Sequence, residues 1–165
     1  MLNNSPLALQ ELSELAVAKL ASSGITPEQA IAAGLYSVEN AKTDVCAEFL
    51  QAPALVIPYF DRAGAPILFE RGGERIPFIR IRYLAEPAVR GFTKLKPQRY
   101  AQLKGSGVHA YFPRIRDWQE IAANPDVPVV IVEGELKALK ACLEGVPTIG
   151  LGGVDNFRTK QRVAA

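Results

Sequence analysis

Apolar residues fall into three successive rhythms along the chain. In the first, Leu7, Leu9, Leu12, Leu15, Val17 and Leu20 recur at roughly helical spacing, and Ser22-Ser23-Gly24 supplies a stop. Thr26-Pro27-Glu28-Gln29 has the form of a capping box, with threonine at the N-cap, proline at N1 where its missing N–H does no harm, and glutamine at N3. Gly34 closes this short second helix. Two helices joined through Ser23-Gly24-Ile25 predict either a DNA-reading helix-turn-helix or a plain helical hairpin packed on the next domain. The second helix carries no basic or amide-rich face beyond Gln29, which favours the hairpin.

From residue 54 to 112 the period changes to two. Leu55 to Phe60 reads as a strand, with Pro58 placing it at an edge. Asp61-Arg62-Ala63-Gly64 is a turn, and Pro66 to Glu70 is the expected hairpin partner. After a second turn at Arg71-Gly72-Gly73-Glu74, a third strand runs from Ile76 to Tyr83. In it Ile79, Ile81 and Tyr83 share one face, and Phe78, Arg80 and Arg82 the other. A last strand, Val108 to Phe112, completes a small antiparallel meander. Ile115, Trp118, Ile121 and Ala122 then mark a short helix ending near Asn124-Pro125.

In the third rhythm, Val127 to Val132 is a near-continuous apolar run, the pattern of a strand buried on both faces and central in its sheet. Glu133-Gly134 interrupts it. Glu135 to Glu144 reads as a helix with Leu136, Leu139 and Leu143 on one stripe and Gly145 as its stop, and Val146 to Leu151 as the next strand. Connections this short predict a βαβ unit with parallel strands. The expected fold class is therefore α/β, α+β overall: N-terminal helices (residues 1–50), a β-rich module (51–125) and a βαβ segment (126–165).

Composition narrows the classes. With 48% hydrophobic and 22% charged residues, the chain is neither disordered nor fibrous. No apolar stretch is long enough to span a bilayer, and the N-terminus lacks the layout of a secretory signal. Cys46 and Cys142 make neither a disulfide framework nor a metal knuckle, so a reduced, cytoplasmic setting is expected. The net charge of +2 conceals an asymmetry. Residues 61–118 hold twelve basic and five acidic groups, a net of +7, whereas residues 1–60 carry −4 and residues 119–165 carry −1. A polyanion would be drawn to the middle third. There Arg80, Arg82, Arg90, Lys94, Lys96, Arg99 and Lys104, with Phe78 and Tyr100 interleaved, are candidates for tracking a single-stranded backbone and stacking bases. The alternative is that they keep a small sheet soluble and guard its edge.

The chemistry concentrates at Glu133. It stands where a parallel strand ends and a helix begins, the edge of an open α/β sheet at which ligands bind. A carboxylate there needs a cation or donors, and Mg²⁺ prefers few carboxylates, several waters and a phosphate. Proximity to the positive end of the helix dipole explains it equally well. Gly134 lets the backbone turn tightly beside it.

Val130-Ile131-Val132-Glu133-Gly134-Glu135-Leu136-Lys137-Ala138, followed by Gly145 to Val154, resembles the opening βαβ of a TOPRIM domain, the fold shared by bacterial-type primases, topoisomerases and several nucleases. More narrowly, the chain is similar to phage- and plasmid-borne primase-like proteins. In those, an Ile-Pro-Tyr-Phe-Asp segment (Ile57 to Asp61), an arginine-rich strand (Arg80 to Arg82), a Tyr-Phe-Pro segment (Tyr111 to Pro113) and the Glu-Gly turn occur in this order. The resemblance implies a mobile-element protein of DNA replication, with metal-dependent nucleotidyl or phosphoryl transfer at Glu133, Gly134 as its turn and Mg²⁺ as cofactor. Its implied partners are single-stranded DNA or an RNA–DNA hybrid, nucleotides, and a helicase or other replication protein. Lys137 is a candidate phosphate contact or a solvated helix lysine.

The TOPRIM pattern also includes an Asp-x-Asp pair that holds the metal, and none occurs in this sequence. The expectation is thus a TOPRIM-like first half, with the metal site at Glu133 partial. Two other outcomes stay open: a non-catalytic nucleic-acid-binding or interaction module, and a TOPRIM-type nuclease. With its sheet incomplete, the βαβ segment is expected to dock on the preceding module, swap with a neighbour or fray. Elsewhere, Gly150-Leu151-Gly152-Gly153 lacks the spacing of a dinucleotide fingerprint, and no Walker A loop exists. His109 reads as structural, and Lys104-Gly105-Ser106-Gly107 as a turn or a phosphate cradle.

Overall fold

The computed structural model describes residues 12–86 and 99–153; Leu7, Leu9, Arg90, Lys94, Lys96 and Asp155 lie outside them. In chain order the elements are α1 (Glu14–Ala21), α2 (Pro27–Ala32), β1 (Tyr36–Val38), α3 (Ala41–Asp44), β2 (Ala54–Pro58), β3 (Leu68–Arg71), β4 (Glu74–Pro77), β5 (Ile79–Tyr83), β6 (Tyr100–Gln102), α4 (Trp118–Ala123), β7 (Val130–Glu133), α5 (Glu135–Leu143) and β8 (Thr148–Leu151). The fold is mixed α/β, with an antiparallel sheet, a separate hairpin and a parallel strand pair. Among the described residues no helix is long and apolar enough to cross a membrane.

Local chemistry sets the helix starts. The Ser13 side chain accepts from the Ala16 N–H to open α1, and both reciprocal bonds of the Thr26/Gln29 capping box are made at α2. Asp117 caps α4 by accepting from the Gln119 and Glu120 N–H groups.

The central sheet has the order β1-β2-β5-β6, antiparallel throughout. Contrary to the edge position expected from Pro58, β2 is interior. The reason is local: β1 pairs only with Ala54 to Val56, so Pro58 lies beyond its reach and its missing N–H costs no ladder bond there. The expected β2 hairpin with residues 66–70 is also corrected. Beyond the Phe60–Pro66 bridge those residues turn away, and β3 pairs instead with β4 across Gly72-Gly73. The third strand accordingly splits at Phe78 into β4 and β5. Residues 108–112 are not a strand of the meander. Tyr111 alone joins β8, exchanging both backbone bonds with Gly150, and β6 is the fourth strand.

Each face of the sheet has its own core. Leu55 and Ile57 pack with Ala16 and Leu20 of α1, Ala30 of α2, Tyr59, Phe78 and Tyr111, and with Leu136, Ala138 and Leu139 of α5. Ala54, Val56, Ile79, Ile81 and Tyr83 face Ala41, Val45 and Phe49 on the other side. The strand buried on both faces is thus β2, where each completely buried aliphatic side chain contributes about 1.5–3 kcal/mol. The apolar run 127–132 does not have this role. Val130 and Ile131 are 43% and 64% exposed, because β7 pairs only with β8 among the described residues. The parallel βαβ connection itself is as expected, and α5 docks it on the antiparallel sheet while α1 and α2 form a packed hairpin in the same core.

Candidate functional site

The alternation of β5 determines what lies beside α5. Ile79, Ile81 and Tyr83 enter one core, so Arg80 and Arg82 emerge on the opposite face, beside Leu55 and Ile57 on β2 and Tyr100 and Gln102 on β6. The first residue of α5 meets them. Glu135 is 1% exposed, and its Oε1 accepts hydrogen bonds from the Tyr59 hydroxyl at 2.6 Å and from Arg80 Nη1, the latter an ion pair. Two favourable fields act on this buried carboxylate, the Arg80 charge and the N-terminal end of the helix dipole.

A second phenol stands close by. The Tyr111 ring centroid is 5.1 Å from that of Tyr59, and the Tyr111 hydroxyl is buried with no hydrogen-bond partner among the described residues. Burial pushes the Tyr111 phenol well above its ordinary pKa, and the Glu135 charge adds to this. Tyr59 is raised in the same way, first by burial and then by Glu135, against a smaller opposing effect of Arg80.

Arg82 has different company. Its Nη1 donates to the Tyr100 hydroxyl at 2.7 Å, and its guanidinium carbon lies 4.9 Å from the centre of that ring; that of Arg80 lies 5.3 Å from the same centre. Among the described residues Arg82 has no carboxylate partner, and its Nε, like that of Arg80, is buried without a hydrogen bond. Lys19 of α1 approaches from above the sheet, with its Nζ held by the Ser22 and Ser23 hydroxyls at 3.0 Å each. Burial, and secondarily the charge of Arg82, lower the Lys19 pKa.

Glu133, the residue singled out from sequence, ends β7 opposite Leu151 and is exposed. It makes no hydrogen bond or ion pair among the described residues. Gly134 turns the chain there with φ +101°, a conformation that disfavours any side chain, and the space around it is open. Glu133 and Glu135 therefore lie on either side of one sharp turn, the first in solvent and the second in the core. Gly150 of β8 underlies this turn: a Cβ on it would come within 3.2 Å of both Ala138 Cβ and the Gly134 carbonyl oxygen.

The other candidates separate. Arg99 and Lys104 are exposed, and Lys137 is exposed on α5. Arg90, Lys94 and Lys96 lie outside the described residues. Arg80 is corrected from a surface cation to a buried, paired one, because the Glu135 carboxylate must be compensated. Phe78 is buried against Tyr59 and His109 rather than offered to a base. His109 Nε2 lies 3.0 Å from the Ser106 carbonyl oxygen, and the Ser106 hydroxyl donates to Leu103 O within the same turn. A metal centre built by the protein alone does not fit here. Among the described residues no three metal-ligating side chains cluster, and of the two glutamates at the turn only Glu133 is uncommitted.

Glu135, Tyr59 and Lys19 escaped sequence reasoning. A signal existed for Glu135, which stands at i with Ala138, Leu139 and Cys142 at i+3, i+4 and i+7, heading the buried stripe of α5.

A family model described as a domain of unknown function (DUF3854) matches residues 117–164, less than a third of the chain and including β7, α5 and β8. No curated protein and no solved structure matches it.

Proposed function

We propose that this chain is a DNA-associated, TOPRIM primase-like protein of a mobile element, in which the β5 face binds a single-stranded nucleic acid and Glu133 serves nucleotidyl or phosphoryl transfer. The observation that carries the reading is the apposition of the Glu133-Gly134 turn and the arginine-bearing strand through α5, whose first residue is ion-paired with Arg80. Arg82 supplies positive charge with no carboxylate partner among the described residues, and Tyr100 supplies an aromatic ring beside it. Such a combination suits a phosphate backbone with a stacked base. Arg99, Lys104 and Lys137 would extend the field around it. Mg²⁺ is implied by the resemblance alone, and Glu133 would give it one carboxylate, with further ligands from phosphates or from groups outside the described residues.

A second reading is a nucleic-acid-binding module without chemistry. It is favoured by the presence of only one uncommitted carboxylate at the turn. The two are separated by a primer-synthesis assay with Mg²⁺, a single-stranded template and nucleoside triphosphates. Binding without synthesis supports the module, whereas cleavage of the template marks a nuclease.

A further inference from the structure

We infer that Glu135 is a positioning residue: together with Tyr59 it removes the Arg80 guanidinium from the phosphate-binding set and makes it the latch that holds the Glu133-Gly134 turn against the basic sheet. This deepens the nucleic-acid reading and rests on it for the identity of the ligand.

Arg80 and Arg82 are equivalent in sequence, two residues apart on the same face of one strand. Their surroundings make them different. Arg80 is 11% exposed and paired with a carboxylate that is itself 1% exposed. Arg82 instead donates to the Tyr100 hydroxyl and has no carboxylate partner among the described residues. Desolvating a carboxylate as deeply as Glu135 is tolerable only when a cation and donors compensate it, and both of its donors, Tyr59 and Arg80, are on the sheet. At this position on the helix stripe an apolar side chain would pack equally well. A glutamate instead makes docking conditional on Arg80, which fixes where α5 begins. Because one residue separates Glu135 from Glu133, whatever fixes the first holds the second within about 7 Å of chain. The Arg82 guanidinium is then the strand's charge left for phosphate.

The test is a salt titration of binding to a fluorescent oligothymidylate, comparing the wild type with R82Q, E135Q and the double variant R80M/E135M. Losing a phosphate contact flattens the slope of log K against log salt by about 0.7. R82Q should flatten it by that amount. R80M/E135M should keep the wild-type slope, since the latch pair is replaced by packing and no phosphate contact is lost. E135Q, which leaves Arg80 charged without its carboxylate counter-ion, should steepen it by about 0.7. A purely structural role for Glu135 would not steepen the slope. Flattening in R80M/E135M equal to that in R82Q would overturn the inference.

Thermal melts of each variant identify any that fails to fold, and the double variant keeps the question open if E135Q does. If the wild type itself shows no salt-dependent binding, the nucleic-acid reading falls and the latch is decided by unfolding alone. Recovery in R80M/E135M of most of the Tm lost in R80M and in E135M supports it; additive losses overturn it.

Discussion

The turn that carries Glu133 is shaped from beneath by a residue with no side chain. Replacing Gly150 by alanine introduces a Cβ at 3.2 Å from Ala138 Cβ, 3.2 Å from the Gly134 carbonyl oxygen and 3.4 Å from Glu135 Cα. Carbon pairs prefer about 3.5–4.0 Å, so β8 and the start of α5 must separate by a few tenths of an ångström. The crowding atoms belong to backbone and to an alanine, neither of which can swing aside. Overpacking of this kind costs about 1–3 kcal/mol. Roughly 0.4–1 kcal/mol is recovered because alanine restricts the unfolded chain more than glycine does. A net loss of about 0.5–2 kcal/mol should lower Tm by about 1–8 °C in a chain of this size. Differential scanning calorimetry of G150A measures it. The second-site change A138G, which removes the opposing Cβ, should return part of the loss in the double variant. G134A offers a contrast: its neighbourhood is open but its φ is +101° with ψ 140°, close to a region confined to glycine, so its cost of about 1–3 kcal/mol is backbone strain that A138G cannot relieve. A G150A protein as stable as the wild type, or strictly additive with A138G, refutes the proposed packing of α5 on β8.

Other consequences arise from the buried polar cluster. Y111F removes a hydroxyl with no partner among the described residues, so stability should be unchanged or rise by up to about 1 kcal/mol, read as Tm; a clear loss means that the hydroxyl is bonded in solution. The phenols of Tyr59 and Tyr111 are both raised above the ordinary value of 10.0 by burial and by Glu135. The folded chain therefore keeps protons that the unfolded chain gives up, and the stability this confers is complete below about pH 10 and lost as pH rises further. Tm should fall steeply above about pH 10 and less steeply in the Y59F/Y111F variant, and identical slopes for the two proteins would contradict the assignment.

Much of the local structure was legible because it depends on near neighbours. The Thr26-Pro27-Glu28-Gln29 box specifies its own start, and the alternation from Phe78 to Tyr83 correctly puts Arg80 and Arg82 on the face opposite Ile79, Ile81 and Tyr83. The βαβ connection was legible from its short links. What failed needed knowledge of partners. Pro58 marks an edge only if β1 extends past it, and β1 stops at Tyr36. The run Val127 to Val132 and the run Ala54 to Ile57 look alike in sequence, yet only the second has packed layers on both faces. The site divided in the same way. Glu133 stands out as a candidate because the strand-to-turn junction is a local pattern, whereas the pairing of Glu135 with Arg80 spans 55 residues and leaves only a weak trace, a carboxylate on an apolar stripe.

The central claim is that Glu133 does chemistry on a nucleic acid bound beside it. Its most direct measurement is Mg²⁺-dependent synthesis of oligonucleotide on a single-stranded template by the protein and by its E133Q variant, with template affinity determined in parallel. Glu133 is exposed and its side chain makes no hydrogen bond or ion pair among the described residues, so E133Q should bind the template and melt as the wild type does. The account predicts product from the wild type and none from E133Q. Equal synthesis by both proteins, or loss of template binding along with loss of synthesis, would contradict it.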